Sequence, residues 1–367
     1  MQKIERNYGI DLLKVLLSIM VITIHINANG TGQVLQYATE SPWKLIITIV
    51  TTLCYPAVNT YILITGYYSY EARKDCRGVI KSLSSLWLSA LFFSLFGYFA
   101  SVIGFNSQFH VAELLKRFFP IIRGVWWFYT VYFALMLISP FLNKMLDNLS
   151  RGEHKLLLLF LIMMLSIFPV FVGWKGQLGS NYGYSLIWFV TLYLTGAFLK
   201  RINISQFETN LFLLGGIGYG GASVIMCLWP KVFGIVGIQS TVYMYNSLFC
   251  YAQSIFLFMA FVNIRIISVM KRFVECISPV ILASYLLHCQ EDIEKILWIK
   301  IHPSCYANSS EIIFVAIVIV VAVIFVSIIL ETLRKKICQI FHIDKKFAEL
   351  IEIVFDQLEQ IFQIERN

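Results

Sequence analysis

Long continuous runs of apolar residues, separated by short polar loops, make up most of the chain. A run of about 17–25 apolar residues can cross a bilayer as a helix, whereas membrane-spanning strands alternate apolar and polar positions. The pattern therefore predicts an all-α, polytopic membrane protein with about ten transmembrane helices. The predicted spans cover residues 10–28, 45–68, 82–103, 125–142, 156–173, 184–199, 209–229, 243–264, 279–297 and 311–333.

The distribution of Lys and Arg supports this layout. Cytoplasmic loops of membrane proteins carry an excess of positive charge. When the N-terminus is placed in the cytoplasm, 20 of the 29 Lys and Arg residues lie on the inner side and 8 on the outer side, and Lys14 lies within a span. We therefore predict a multi-pass protein of the cell membrane with both termini in the cytoplasm.

Composition excludes several other classes. The chain is 58% hydrophobic and only 14% charged, with a mean hydropathy of +0.74, whereas soluble domains are about 25% charged. The net charge of +8 does not indicate nucleic-acid binding, because the basic residues are spread over short loops. The eight cysteines form no Cys-x-x-Cys pair and no Cys/His ligand spacing. We therefore predict no metal site and no bound cofactor.

The end of the chain differs from the rest. Beyond the last span, apolar residues such as Phe347 and Leu350 repeat at helical spacing, while acidic residues such as Glu352 occupy the other face. We predict a membrane domain, residues 5–335, and a cytoplasmic amphipathic tail helix, residues 336–367. The tail helix can pack on the bundle, rest on the membrane, or pair with another copy to form a homo-oligomer.

The first span carries an unusual polar stripe. Asp11, Lys14, Ser18 and His25 share one face of the helix, at about 100° per residue. A charged side chain at bilayer depth costs about 2.5–3.5 kcal/mol on insertion scales, so such residues usually face a partner, a cavity or a substrate. The stripe favours a helix that lines a reaction site or a pathway. For His25, a packed and hydrogen-bonded histidine is the alternative.

Basic residues cluster where the second and third predicted spans meet the cytoplasm. Arg73, Lys74 and Arg77, together with Lys14, would form a cationic mouth suited to a phosphate-bearing donor. Each has a simpler explanation as well. Lys14 can pair with Asp11 one turn away, and inner loops are basic for topological reasons.

Further candidates lie towards the outer side. Trp126, Trp127 and Tyr129 form either an interfacial aromatic belt or a groove on which sugar rings stack. His288 is a second histidine inside a predicted span, and packing and function are both open for it. The loop 104–124 contains a short amphipathic segment whose basic residues are either solvated or bind an anionic glycan or lipid head group.

Four motifs, in order, resemble those of the acyltransferase 3 family, the integral-membrane acyltransferases that modify surface polysaccharides and related glycans. They are IDLLK at 10–14, preceded by Arg6 and Asn7 and followed by His25; YILITGY at 61–67; VWWF at 125–128 with Pro140; and SYLLH at 284–288. The ten-span layout matches the family as well.

The resemblance implies an enzyme of cell-envelope polysaccharide biosynthesis. It would move an acetyl or another short acyl group from cytoplasmic acyl-CoA, with acetyl-CoA as donor substrate, to a hydroxyl of a surface or lipid-linked polysaccharide. His25 would be the general base or carry the acyl group transiently. Asp11 would belong to the catalytic set, more as an organiser of the cytoplasmic end than as a group that touches reacting atoms.

The same resemblance implies that Lys14, Arg73, Lys74 and Arg77 hold the donor phosphates. This chain departs from the family pattern at two single positions and in the family's paired arginines, which appear here as Lys74 and Arg77 or as Arg73 and Arg77. Lys14 stands where the family usually has Arg, and Thr65 stands where it usually has Ser. Lysine keeps the charge but lacks the planar fork of a guanidinium, which weakens bidentate binding of phosphate.

Two other functions compete with acyl transfer. A glycan transporter or exporter would use the polar stripe as a translocation path. Transporters often break helices with Gly or Pro in corresponding positions of two halves, but here the paired glycines 215–216 and 220–221 fall in one span alone. A scaffolding protein leaves the stripe unexplained.

Overall fold

The computed structural model describes residues 6–28, 31–39, 42–105, 107–172, 177–207, 210–233 and 243–362. All regular secondary structure in these ranges is helical, so the predicted all-α class is confirmed. Residue 5 and residues 363–367 of the predicted domains, residue 173 of the fifth predicted span and residue 209 of the seventh lie outside the described residues.

The helices are numbered here in chain order. They are α1 (Tyr8–Asn27), α2 (Val34–Tyr37), α3 (Pro42–Cys54), α4 (Ala57–Ala72), α5 (Cys76–Gly104), α6 (Val111–Lys116), α7 (Trp127–Asp147), α8 (Arg151–Ile162, continued by a π-helical segment, Met163–Val172), α9 (Leu186–Arg201), α10 (Leu211–Phe233), α11 (Leu248–Val262), α12 (Ser268–Ile277), α13 (Leu282–His288), α14 (Glu291–Ile301), α15 (Glu311–Ile340) and α16 (Ile343–Phe362).

Seven described helical segments are long and apolar enough to cross a bilayer. They are α1, Pro42–Ala72 (α3 with α4), α5, α7, Arg151–Pro169, Leu211–Trp229 and α15. The protein is therefore a multi-pass membrane protein, while the predicted number of about ten spans is not confirmed. We call the end of the bundle that holds Arg6, Arg73 and Arg77 the inner end, in line with the predicted orientation.

The segment 279–297, predicted as one span, forms two short helices, α13 and α14. The side chain of Gln290 accepts hydrogen bonds from the backbone N–H groups of Asp292 and Ile293, each at 2.8 Å, and so caps the start of α14. This cap satisfies N–H groups that a new helix would otherwise leave without partners. The helix consequently ends directly after His288, and a new helix begins at Glu291.

The loop that leads from α5 to α7 is tied to this break. Arg117, whose side chain is only 6% exposed, pairs with Glu291 and, at 3.0 Å, with Asp292, and Arg123 lies 3.4 Å from Glu291. The short helix predicted for this loop is present as α6. The predicted solvation of its cations is wrong for Arg117, because the chain supplies internal carboxylates.

The centre of the bundle depends on two glycines. A Cβ on Gly66 of α4 would collide with the backbone of Tyr193 in α9, and a Cβ on Gly196 of α9 would collide with the backbone of Leu63 in α4. Small residues allow helix backbones to approach closely in membrane proteins. This contact explains why glycine stands at position 66 of the YILITGY motif.

The C-terminal helix α16 packs on the inner end of α5. Glu352 pairs with both Arg77 and Lys81, Asp356 lies 2.7 Å from Arg77, and the rings of Phe347 and Trp87 stack with centroids 5.2 Å apart. Of the three arrangements that the sequence left open, packing on the bundle is therefore present. A homo-oligomer through this helix stays a prediction.

This docking is expected to weaken in acid. The hydrogen bond from Lys81, followed by the charges of Lys81 and Arg77, holds the pKa of Glu352 below its usual value. A carboxyl group with a lowered pKa in the docked state contributes stability at neutral pH and loses it as the pH falls through the carboxyl range. The protection factors of the α16 amides, which are exchange rates corrected for the intrinsic effect of pH, should therefore be smaller at pH 4 than at pH 7.

A substitution separates this contact from general acid effects. Glu352→Gln should release α16 at neutral pH and remove most of the pH dependence of its protection factors. Glu349→Gln is the matched control on the same helix, because Glu349 is 62% exposed and its ion pair with Lys345, at 4.0 Å, lies within α16 itself. Equal exchange in the two variants would show that the ionic contacts do not hold the helix.

Candidate active site

Two histidines from distant parts of the chain form a hydrogen-bonded pair in the bundle. His25 lies in the last turn of α1, and its Nδ1 is 2.8 Å from Nε2 of His288 at the end of α13. The ring centroids are 4.9 Å apart with an interplanar angle of 55°. His25 therefore faces the interior of the protein, as the polar stripe indicated.

The pair has a defined proton arrangement. Nδ1 of His288 lies 2.5 Å from the carbonyl oxygen of Ser284, which can only accept, so this nitrogen carries the proton. In the neutral ring, Nε2 of His288 then accepts, and Nδ1 of His25 donates to it. The tautomer of a histidine is set by the hydrogen bond that its other nitrogen makes. Nε2 of His25 consequently carries a lone pair.

Both ends of α1 are fixed by side chains. At its start, Asn7 accepts from the N–H of Ile10 at 3.2 Å and donates to the carbonyl of Val262 at 2.8 Å. At its end, the carbonyl of His25 accepts from the N–H of Gly32 at 2.8 Å and from the hydroxyl of Thr31. These contacts hold the backbone that positions the imidazole.

A small cavity of about 30 Å³ adjoins His25. Ser18, Tyr61, Trp127 and Tyr285 contribute to its wall together with His25. The Ser18 hydroxyl lies 2.8 Å from the Tyr61 hydroxyl, which donates to the carbonyl of Lys14 at 2.7 Å. Polar groups thus continue along α1 from the cavity towards the inner end.

Asp11 lies at the opposite end of α1 from His25. It accepts from Arg6 at 2.6 Å, from Lys14 at 3.1 Å and from Ser278 at 3.2 Å. Fourteen residues separate Asp11 from His25, which is about 21 Å along a helix. The structure does not bring the two side chains together, and the assignment of Asp11 to the catalytic set, as an organiser of the inner end, stays a prediction.

The cations predicted to bind the donor already have partners in the chain. Arg73 pairs with Asp147 at 3.0 Å, Lys74 donates to Ser82 at 2.7 Å, and Arg77 is held by α16. They share the inner end with Lys14, but a donor phosphate would have to compete with these contacts. Donor binding by Lys14, Arg73, Lys74 and Arg77 stays a prediction.

The predicted aromatic group divides in the structure. Trp127 lines the cavity next to His25, and its ring centroid is 4.4 Å from that of Tyr184. Trp126 and Tyr129 are each only 1% exposed and belong to the buried core. Of the three, only Trp127 is therefore placed to meet a substrate beside His25.

Two groups at this site were not recognised from the sequence. Tyr285 lines the cavity, and its ring centroid is 6.1 Å from that of His288. Cys289 places its sulfur 3.4 Å from Nδ1 of His25. The available signal was proximity in the sequence, because both residues belong to or directly follow the SYLLH motif.

One donor atom each from His25, His288 and Cys289 lies within 4.8 Å of the others, a grouping compatible with a metal ion. Zinc–nitrogen bonds of about 2.0–2.1 Å in a tetrahedral site would put two ligand nitrogens roughly 3.3 Å apart. The 2.8 Å between the two imidazoles fits a hydrogen bond better. The predicted absence of a metal stays a prediction.

Comparison with known families adds a second line of argument. A family model described as an acyltransferase domain matches residues 7–331, which include both histidines, the cavity and Cys289. The chain belongs to the acyltransferase 3 family. No curated protein and no solved structure matched the chain. The family domain of this membrane acyltransferase ends before α16, so the docked tail helix lies outside it.

Proposed function

We propose that this acyltransferase moves an acetyl or another short acyl group from cytoplasmic acyl-CoA to a hydroxyl of a surface or lipid-linked polysaccharide. Family membership supports acyl transfer in general. The observation that carries the finer proposal is the hydrogen-bonded pair of His25 and His288 beside an internal cavity, from which we infer a lone pair on Nε2 of His25. A hydroxyl in that cavity would meet a base whose other nitrogen is held in place by His288.

The mechanism requires three contributions from the protein. His25 accepts the proton of the attacking hydroxyl at Nε2, as a general base. His288 orients the ring and fixes its tautomer. Trp127 and Tyr285 are aromatic side chains of the cavity wall, and the cavity, at about 30 Å³, would have to widen to admit a sugar ring against them. The donor phosphates would bind at the inner end, where Lys14 and the basic residues beside α4 and α5 lie.

Label transfer tests the reaction directly. The purified protein in proteoliposomes is supplied with radiolabelled acetyl-CoA and a polysaccharide acceptor, and radioactivity in the polysaccharide is measured. Label that is released from the polysaccharide by mild base as acetate supports O-acyl transfer. Movement of glycan across the membrane without consumption of acyl-CoA would contradict the proposal and favour the transporter alternative.

The orienting role of His288 gives a separate prediction. His288→Phe removes the acceptor of the Nδ1 proton of His25, and the loss of one hydrogen bond of about 1–1.5 kcal/mol corresponds to a reduction of kcat by roughly tenfold. His288→Gln keeps an acceptor oxygen and should restore part of this loss. The pH–rate profile distinguishes this role from a structural one. Loss of the orienting hydrogen bond should change the shape of the profile, because the tautomer of His25 is then no longer fixed, whereas a structural defect should lower the rate equally at every pH.

A further inference from the structure

A thiol lies beside the histidine pair. Sγ of Cys289 is 3.4 Å from Nδ1 and 3.9 Å from Nε2 of His25. Cys289 is a free cysteine of intermediate exposure, so its sulfur is not consumed by a disulfide. The base mechanism above makes no use of this group.

The break between α13 and α14 brings the thiol to this position. Successive residues of a helix point about 100° apart, so two neighbours rarely reach the same ring. Here α13 ends at His288, and Cys289 caps it, with its N–H donating to the carbonyl of Tyr285 at 3.1 Å. The side chains of His288 and Cys289 consequently both contact His25.

The arrangement has the parts of a nucleophilic triad. Such a site needs a nucleophile, a base within reach of it and a third group that orients the base, and the distances are often loose before the substrate binds. We propose, building on the proposed function, that Cys289 is the nucleophile that receives the acyl group, with His25 as its base and His288 as the orienting group.

In the first half-reaction, Sγ of Cys289 attacks the thioester carbonyl of acyl-CoA and gives its proton to Nε2 of His25. The carbon–sulfur bond to coenzyme A then breaks, and the leaving thiolate takes the proton from His25. The products are a thioester on Cys289 and free coenzyme A. No oxidant or reductant is needed, because one thioester replaces another.

In the second half-reaction, the acceptor hydroxyl gives its proton to Nε2 of His25 as its oxygen attacks the acyl group on Cys289. The new ester forms, the bond to Sγ breaks, and the proton returns to the sulfur. Donor and acceptor therefore never have to occupy the site together. This order suits an enzyme whose donor and acceptor lie on opposite sides of a membrane.

Isotope exchange without an acceptor tests the first half-reaction alone. The wild-type protein should exchange radiolabel between coenzyme A and acetyl-CoA, and acid quenching should leave an acetyl group on the peptide that contains Cys289, removable by neutral hydroxylamine. Cys289→Ser should reduce the exchange on the order of 100-fold or more. Cys276→Ser and Cys305→Ser serve as controls, because both of these cysteines are exposed.

The outcomes separate this inference from the function on which it rests. Cys289→Ala, with an unchanged thermal unfolding midpoint, provides a second variant if serine disturbs the site. Unchanged polysaccharide acylation by both variants, with no label on Cys289, would overturn the thiol intermediate and leave the base mechanism standing. If the wild-type protein consumed no acyl-CoA with any acceptor, the proposed function and this inference would both be wrong.

Discussion

Replacing His25 by alanine is expected to lower the rate of acyl transfer by about 10²- to 10⁴-fold, the usual contribution of a general base. The substitution removes Nε2 of His25, whose lone pair stays available because the other nitrogen of the ring is bonded to His288. The rate of label transfer from acetyl-CoA to polysaccharide measures the effect. His25→Asn should be equally inactive, because its amide can donate to His288 but cannot accept a proton at neutral pH.

The matched control is His110→Ala, which removes an exposed histidine with an extended backbone just before α6. It should transfer acyl groups at the wild-type rate. Both variants should elute as folded protein in gel filtration and unfold at temperatures close to that of the wild type. Wild-type acylation by His25→Ala would exclude His25 as the base.

The largest expected effect on stability comes from a buried ion pair in α15. Arg334 donates to Glu331 through Nε at 2.8 Å and through a terminal nitrogen at 2.7 Å, and Ser89 of α5 donates to the same carboxylate at 3.2 Å. The side chains of Arg334 and Glu331 are 5% and 6% exposed. Glu331→Ala leaves a buried cation without its partner, which typically costs about 3–5 kcal/mol.

Thermal unfolding in detergent should register this loss as a clearly lowered midpoint. Replacing both partners by methionine should be close to neutral, because no unpaired charge remains. Glu349→Ala, an exposed change, should stay within about 0.5 kcal/mol of the wild type. A midpoint for Glu331→Ala equal to that of Glu349→Ala would mean that the pair contributes nothing measurable.

The inward position of His25 could be predicted because a polar stripe on an apolar helix rarely faces lipid. Its partner could not, since His288 is 263 positions away and helical periodicity within one span does not identify the facing helix. The contacts of Arg77 were hidden for the same reason, because its carboxylate partners come from α16. Hydropathy also missed the break at Gln290, which depends on a side-chain cap rather than on apolar content.

The close contact of α4 and α9 at Gly66 and Gly196 limits how the bundle can move. Since neither backbone leaves room for a Cβ at the contact, the two helices are interlocked and should travel as one rigid body. Opening and closing during a catalytic cycle must then take place at other contacts between helices. One such contact is formed by the ion pairs of Arg117 with Glu291 and Asp292 at the start of α14. Motion there would reach the histidine pair through a single short helix, α13.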